Sequence, residues 1–243
     1  MPAWYTTNNP NPPETLHGWL TLSMDEAAMK SYAPIEASNQ KTNPQVLNHS
    51  AIVKAITERL EMKSASSDFL LRLAGKDDIY TIVRLVQGLA DYEKEPDAVN
   101  MTGKDYLRDG YPLQSNSDGQ PPLFYCILIE EQQGESSYAF GMALIWLGFQ
   151  FDSGRFLYLE DLFLEESYRK KGADSLIMKT LAEIAQSLMC HDMVWQALEW
   201  DPPALAFYGK IGAKIREGVI TSRYAGNNLK DFVQNEAAGI ISS

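Results

Sequence analysis

The sequence predicts an α+β fold: a mixed, mostly antiparallel sheet with helices on both faces, preceded by a helical N-terminal extension. Three observations point there. The runs Leu123 to Glu130, Ser137 to Phe149 and Arg155 to Leu164 follow one another with only short polar connections, as an antiparallel meander requires. A helical pattern over about 172–189 then leads to another strand, Met193 to Leu198, so a helix crosses from one central strand to the next. Further amphipathic helices flank the meander in sequence, and each needs a sheet face on which to bury its apolar stripe.

In chain order, residues 1–43 are rich in small polar residues and hold Asn-Pro-Asn-Pro-Pro, yet keep Trp4, Tyr5, Trp19 and Leu20, which suggests packing against the main body. Asn43-Pro44 has the form of an N-cap followed by Pro at the first helical position, and Leu47, Ile52, Ile56 and Leu60 recur at helical spacing, predicting a helix over 44–62. Ser64 to Ser67 reads as a linker, dividing an extension (1–66) from a domain (67–243). Phe69 to Leu73 is a short strand. Asp77 or Asp78 opens a helix whose Ile79, Ile82, Val83, Val86, Leu89 and Ala90 form one stripe. Thr102 to Asp105 resembles a capping box, and Gly110 can close the short helix behind it. Residues 116–122 form a polar turn, and Gln133-Gly134 is a hairpin signal. The helix near 172–189 buries Leu176, Ile177, Leu181, Ile184 and Leu188. Asp201, held extended by Pro202, is placed to cap a helix running to about Ile211, where Gly212 ends it. Strands near Lys214 to Arg216 and Val219 to Tyr224 finish the sheet, with a last turn near Leu229 to Val233.

A formal charge of −11 argues against a nucleic-acid binder, which would show a basic face, and suits a cationic substrate; it also serves solubility. Two cysteines, Cys126 and Cys190, are too few for a disulfide framework and imply a reducing compartment. No apolar run reaches the roughly 18 residues of a membrane helix, and the N-terminus lacks a charged leader, so no membrane is expected and the default is the cytoplasm, with the nucleus left open. His17, His49 and His191 have no metal-ligand spacing, and no Ser or Cys sits in a nucleophile elbow, so neither a metal nor a covalent intermediate is expected.

The chemistry centres on 158–174, YLEDLFLEESYRKKGAD. An apolar run broken by Glu160 and Asp161 feeds a basic loop that opens a helix. A helix N-terminus offers unpaired N–H groups, and a Gly there lets a phosphate approach. The spacing fits neither a nucleotide P-loop nor a dinucleotide-binding turn.

Leu-Glu-Asp-Leu-Phe-Leu, Tyr168-Arg169-Lys170-Lys171-Gly172-Ala173, Glu199-Trp200-Asp201, Ala206-Phe207-Tyr208 and Ile211-Gly212-Ala213 together resemble the GNAT acetyltransferases, in particular the diamine (spermidine/spermine and thialysine) N-acetyltransferase branch, over about 67–235. The resemblance implies a splayed sheet, a homodimer, and direct acetyl transfer from acetyl-CoA to a primary amine of a small diamine, polyamine or similar substrate. It assigns the cofactor's pyrophosphate to the backbone of Lys170, Lys171, Gly172, Ala173, Asp174 and Ser175, with Arg169 opening the motif, and its pantetheine arm to the backbone of Leu162, Phe163 and Leu164. Glu160 becomes the general base and Tyr208 the acid that protonates the departing thiolate. Tyr92 and Glu93, with Asp161 beside the base, face the amine.

Three positions depart from the family pattern. Asp174 stands where a Gly or Ala is usual; a carboxylate about 6 Å from a phosphate, at an effective dielectric near 40, costs about 1–2 kcal/mol. Asp201 replaces an Asn that contacts the cofactor. Gln150 stands where an acidic residue is usual, with Asp152 close by, leaving open a smaller diamine, an amino-acid side chain or a protein lysine as acceptor. Asp174 and Asp201 also make a non-catalytic acyl-CoA-binding regulatory module the alternative from another class. As strand neighbours, Glu160 and Asp161 are expected on opposite faces.

Overall fold

In the computed structural model, residues 14–15, 18–35, 48–111, 122–219, 221–223 and 230 are described. The Asn43-Pro44 helix start, the packing of Trp4 and Tyr5, and most of the turns at 116–122 and 229–233 lie outside them. The elements are β1 (Glu14–Thr15), β2 (Trp19–Asp25), α1 (Glu26–Tyr32), α2 (His49–Ser64), β3 (Leu70–Leu73), α3 (Ile79–Tyr92), α4 (Gly103–Gly110), β4 (Tyr125–Gln133), β5 (Ser136–Gln150), β6 (Gly154–Leu164), α5 (Ala173–Ser187), β7 (Asp192–Leu198), α6 (Pro202–Lys210), β8 (Lys214–Ile215) and β9 (Ser222–Arg223).

The main sheet has the order β3-β4-β5-β6-β7-β2-β8. β4, β5 and β6 form the expected antiparallel meander, turning at Gly134 (φ 65°) between β4 and β5. β6 and β7 are parallel, joined by the crossover helix α5. One face carries a core from α1, α2, α5 and α6, with Met29, Ile56, Leu60, Ile177, Leu181 and Ile184 buried against Leu157, Leu159, Met193 and Trp195. The other face is covered by α3 and α4, which seat Ile82, Leu85 and Tyr106 on Cys126, Leu128, Met142 and Phe163. The capping box forms: the Thr102 amide donates to Asp105 Oδ2 at 2.8 Å. Among the described residues no helix is long and apolar enough to cross a membrane.

Two expectations need correction. The boundary at 66/67 divides the sequence but not the packed core: β2 pairs with β7 through seven residues, Trp19↔Leu198 to Asp25↔Asp192, and α2 buries Ile56 and Leu60 in the main core. The 2-period alternation of Leu20, Leu22 and Met24 carries that strand signal, masked in the sequence by its Pro-rich surroundings. The segment near 219–224 does not finish the main sheet; its β9 pairs with β1 in a separate two-stranded ladder, and β8 pairs with β2.

Candidate active site

The site is opened by a bulge. Leu159 pairs with Ile145 and Asp161 with Leu144, so Glu160 is the extra residue on β6. The alternation flips there. Leu157 and Leu159 point into the α5-side core, and beyond the bulge so do Leu162 and Leu164, while Phe163 joins the opposite core. Glu160 and Asp161 therefore share one face, not the two expected of strand neighbours, and both enter the same cleft. β6 and β7 stay paired only from Phe156↔Asp192 to Leu159↔Trp195. Past that point they part, leaving the β7-side edge of Leu162, Phe163 and Leu164 without a strand partner among the described residues.

The cleft at this opening has a volume of about 590 Å³. Tyr208, Trp195, Leu159 and Leu162 reach it from the α5 side, and Trp19, Tyr158, Gln196 and Leu198 line it from the α3 side. Among the described residues its charged lining consists of Glu93, Glu95, Glu160, Asp161 and Asp201, with no Lys, Arg or His. Burial, reinforced by Glu160 and then Glu93, pushes the Asp161 carboxyl up to about 7. Burial and Glu95 raise Glu93 to about 7 as well. Tyr208, packed edge-on against Trp195 at 5.2 Å, is pushed up to about 12 by burial and then by Asp201 and Tyr92, so its hydroxyl stays protonated through the neutral range. Glu160 is exposed, and its Oε2 accepts a hydrogen bond from Trp146 Nε1 at 2.9 Å.

The basic loop supplies a row of amides. Lys170 (φ 61°) and Gly172 (φ 90°) turn the backbone through the left-handed region, and a side chain at Gly172 would meet open space. The amides of Lys171, Gly172, Ala173 and Asp174 donate to no acceptor among the described residues, a donor set that fits a diphosphate. Ser175 departs from this, since its N–H is taken by Asp174 Oδ1 at 2.8 Å. Arg169 does not join the row: its Nε donates to the Leu164 carbonyl at 2.9 Å, and its guanidinium lies 4.2 Å from the Tyr92 ring centre.

Asp201 caps α6 as expected, accepting from the Ala204 amide at 3.1 Å. Its other oxygen accepts from the Tyr92 hydroxyl at 2.6 Å, a contact invisible in the sequence because it joins two elements 109 residues apart. Tyr92, Glu93, Glu160, Asp161, Leu162, Asp201 and Tyr208 thus meet in one cleft. Gln150 and Asp152 do not reach it. They sit at and beyond the end of β5, where Gln150 Oε1 accepts from Arg216 at 3.1 Å and Asp152 is exposed in the turn before β6. Trp19, Tyr158, Gln196 and Glu95 also line the cleft, and no local sequence signal marks them, since only the sheet order and the splay bring them together.

A family model described as "Acetyltransferase (GNAT) family" matches residues 88–213. A pig (Sus scrofa) thialysine N-epsilon-acetyltransferase is 30% identical over 172 residues, covering 67% of this chain and 96% of the relative. A human spermidine/spermine N(1)-acetyltransferase-like protein 1 is 30% identical over 182 residues, covering 72% of this chain, but the chain spans only 25% of that protein's length. Among solved structures, the integron cassette protein VCH_CASS6 from the mobile metagenome of V. cholerae superimposes with a TM-score of 0.55 at 25% identity, over 69% of this chain and 99% of its own.

Proposed function

Since the chain belongs to the GNAT acetyltransferase family, we propose that it transfers an acetyl group from acetyl-CoA directly to the primary amine of a small diamine, polyamine or similar alkylamine. The observation that carries the amine is the cleft lining, in which every charged side chain among the described residues is a carboxylate. An alkylammonium of pKa near 10 is about one-thousandth neutral at pH 7, so the acceptor must both be attracted as a cation and lose a proton.

Acetyl-CoA supplies the acetyl group as a thioester. The amides of Lys171 to Asp174 are the donors for its diphosphate, and the edge of Leu162 to Leu164 that β7 leaves is the place for its pantetheine arm. Asp161, ionising near pH 7 and set in the cleft, takes the proton from the ammonium; Glu93 and Glu95 hold the cationic acceptor against it. Tyr208 holds a proton on its hydroxyl throughout and is the donor of the site. This moves the base from Glu160, which the indole of Trp146 engages, to its neighbour across the bulge.

The test is release of free thiol from acetyl-CoA with putrescine, spermidine, thialysine and a lysine-rich peptide as acceptors. Transfer to one of the small amines supports the reading. Transfer to the peptide alone makes the protein a lysine acetyltransferase. Binding of CoA with no transfer to any acceptor favours the regulatory alternative, whose motive is the carboxylate of Asp174 on the Ser175 amide.

That carboxylate also yields a prediction for the cofactor. Asp174→Gly removes the charge and frees the Ser175 N–H, and should tighten acetyl-CoA binding about tenfold, the equivalent of about 1.4 kcal/mol. Titration calorimetry with CoA reads this directly, and an unchanged or weaker dissociation constant would refute the repulsion.

A further inference from the structure

We infer that Trp19, on the strand before the matched family region, is a specificity-determining residue for the acceptor: its indole is an aromatic wall along which the alkyl stem of a protonated amine lies. The inference rests on the amine-acetyltransferase reading above. Leu20, Leu22 and Met24 of β2 face the α5-side core, so Trp19, Thr21 and Ser23 face the other way. The register places Trp19 beside Leu198 and Thr21 beside Gln196, and Leu198 and Gln196 line the cleft with it. Tyr158, Glu160 and Asp161 look out from the same face of the sheet. The chain is fixed at this point, because Gly18 turns through φ 81° and its carbonyl accepts from the Glu199 amide at 2.7 Å, tying the start of β2 to the end of β7.

The indole is only partly buried, and among the described residues no Lys, Arg or His lines the cleft to occupy the ring face. An alkylammonium matches both halves of this lining. Carboxylates take its charge, and the indole takes its methylenes and the outer field of the ammonium, an attraction that grows as water is excluded. Residue 19 lies outside the matched stretch 88–213, so this wall is supplied by the segment that the sequence alone set apart as an extension.

The test uses the full chain with Trp19→Leu and Trp19→Phe, measuring kcat and KM for an alkyl diamine and for acetyl-CoA. Trp19→Leu should raise the acceptor KM about three- to thirtyfold, with kcat and the acetyl-CoA KM within about twofold, and Trp19→Phe should retain most of the acceptor affinity. An acceptor KM unchanged in an active Trp19→Leu protein, or an acetyl-CoA KM rising in step with it, overturns the assignment. If no amine is acetylated by the unaltered protein, the amine reading itself fails and this inference with it. Should Trp19→Leu not fold, protein labelled with 5-fluorotryptophan replaces it. The fluorine resonance that Trp19→Phe deletes should shift as the diamine is titrated to saturation, and a resonance that stays in place overturns the proposal.

Discussion

Tyr208→Phe is expected to lower kcat about a hundredfold while leaving both KM values within about threefold, because it removes a proton donor and little volume. The ring stays in its edge-on packing against Trp195, and α6 keeps its Asp201 cap, so the change is confined to one hydroxyl. Burial holds that hydroxyl protonated up to about pH 12, which makes it a poor base and a standing donor at any pH where the amine reacts. The departing thiol, with an ordinary pKa about 8.5, needs such a donor least when the medium is acidic. The deficit should therefore narrow at low pH. A wild-type kcat for Tyr208→Phe would remove the role.

Asp161→Asn carries the second large effect, and it has two signs. Activity should fall by about two orders of magnitude, and the rise of kcat with pH that ionisation of Asp161 near 7 imposes should vanish from the profile. Stability should change the other way. Burial raises the folded-state pKa of this carboxyl above its unfolded value, so the stability linked to its proton is full below the ordinary carboxylate range and is lost as pH rises through about 7. The Asn variant has no such loss. Its melting temperature should exceed that of the unaltered protein at pH 8, by a margin that shrinks at pH 5. Such a trade of stability for a poised base is what a functional carboxylate shows, and a purely structural one would not. Glu160→Gln, by contrast, should stay within about tenfold of the unaltered kcat, since Glu160 is exposed and hydrogen-bonded to Trp146. A greater loss for Glu160→Gln than for Asp161→Asn would return the base to Glu160.

The amino-acid sequence by itself determined the helices with clear apolar stripes, the β4–β6 meander, the crossover α5, the Asp201 cap and the family resemblance, because each is written in residues close together along the chain. It also marked the two residue types to which the proposed chemistry is assigned, a carboxylate in Glu160-Asp161 and the hydroxyl of Tyr208. Which carboxylate is half-buried in the cleft, and which is exposed and held by an indole, was decided by a one-residue bulge on β6. A bulge depends on how β5 pairs across from it, and the 2-residue period of a strand cannot announce its own interruption. The bond between Tyr92 and Asp201 and the exclusion of Gln150 and Asp152 from the cleft likewise depend on distances across the sheet. The insertion of β2 between β7 and β8, which brings part of the apparent extension to the cleft, required the free edge of β7 to be present. Main-chain hydrogen bonds and buried faces choose such partners only once the rest of the sheet exists, so these features belong to the tertiary structure alone.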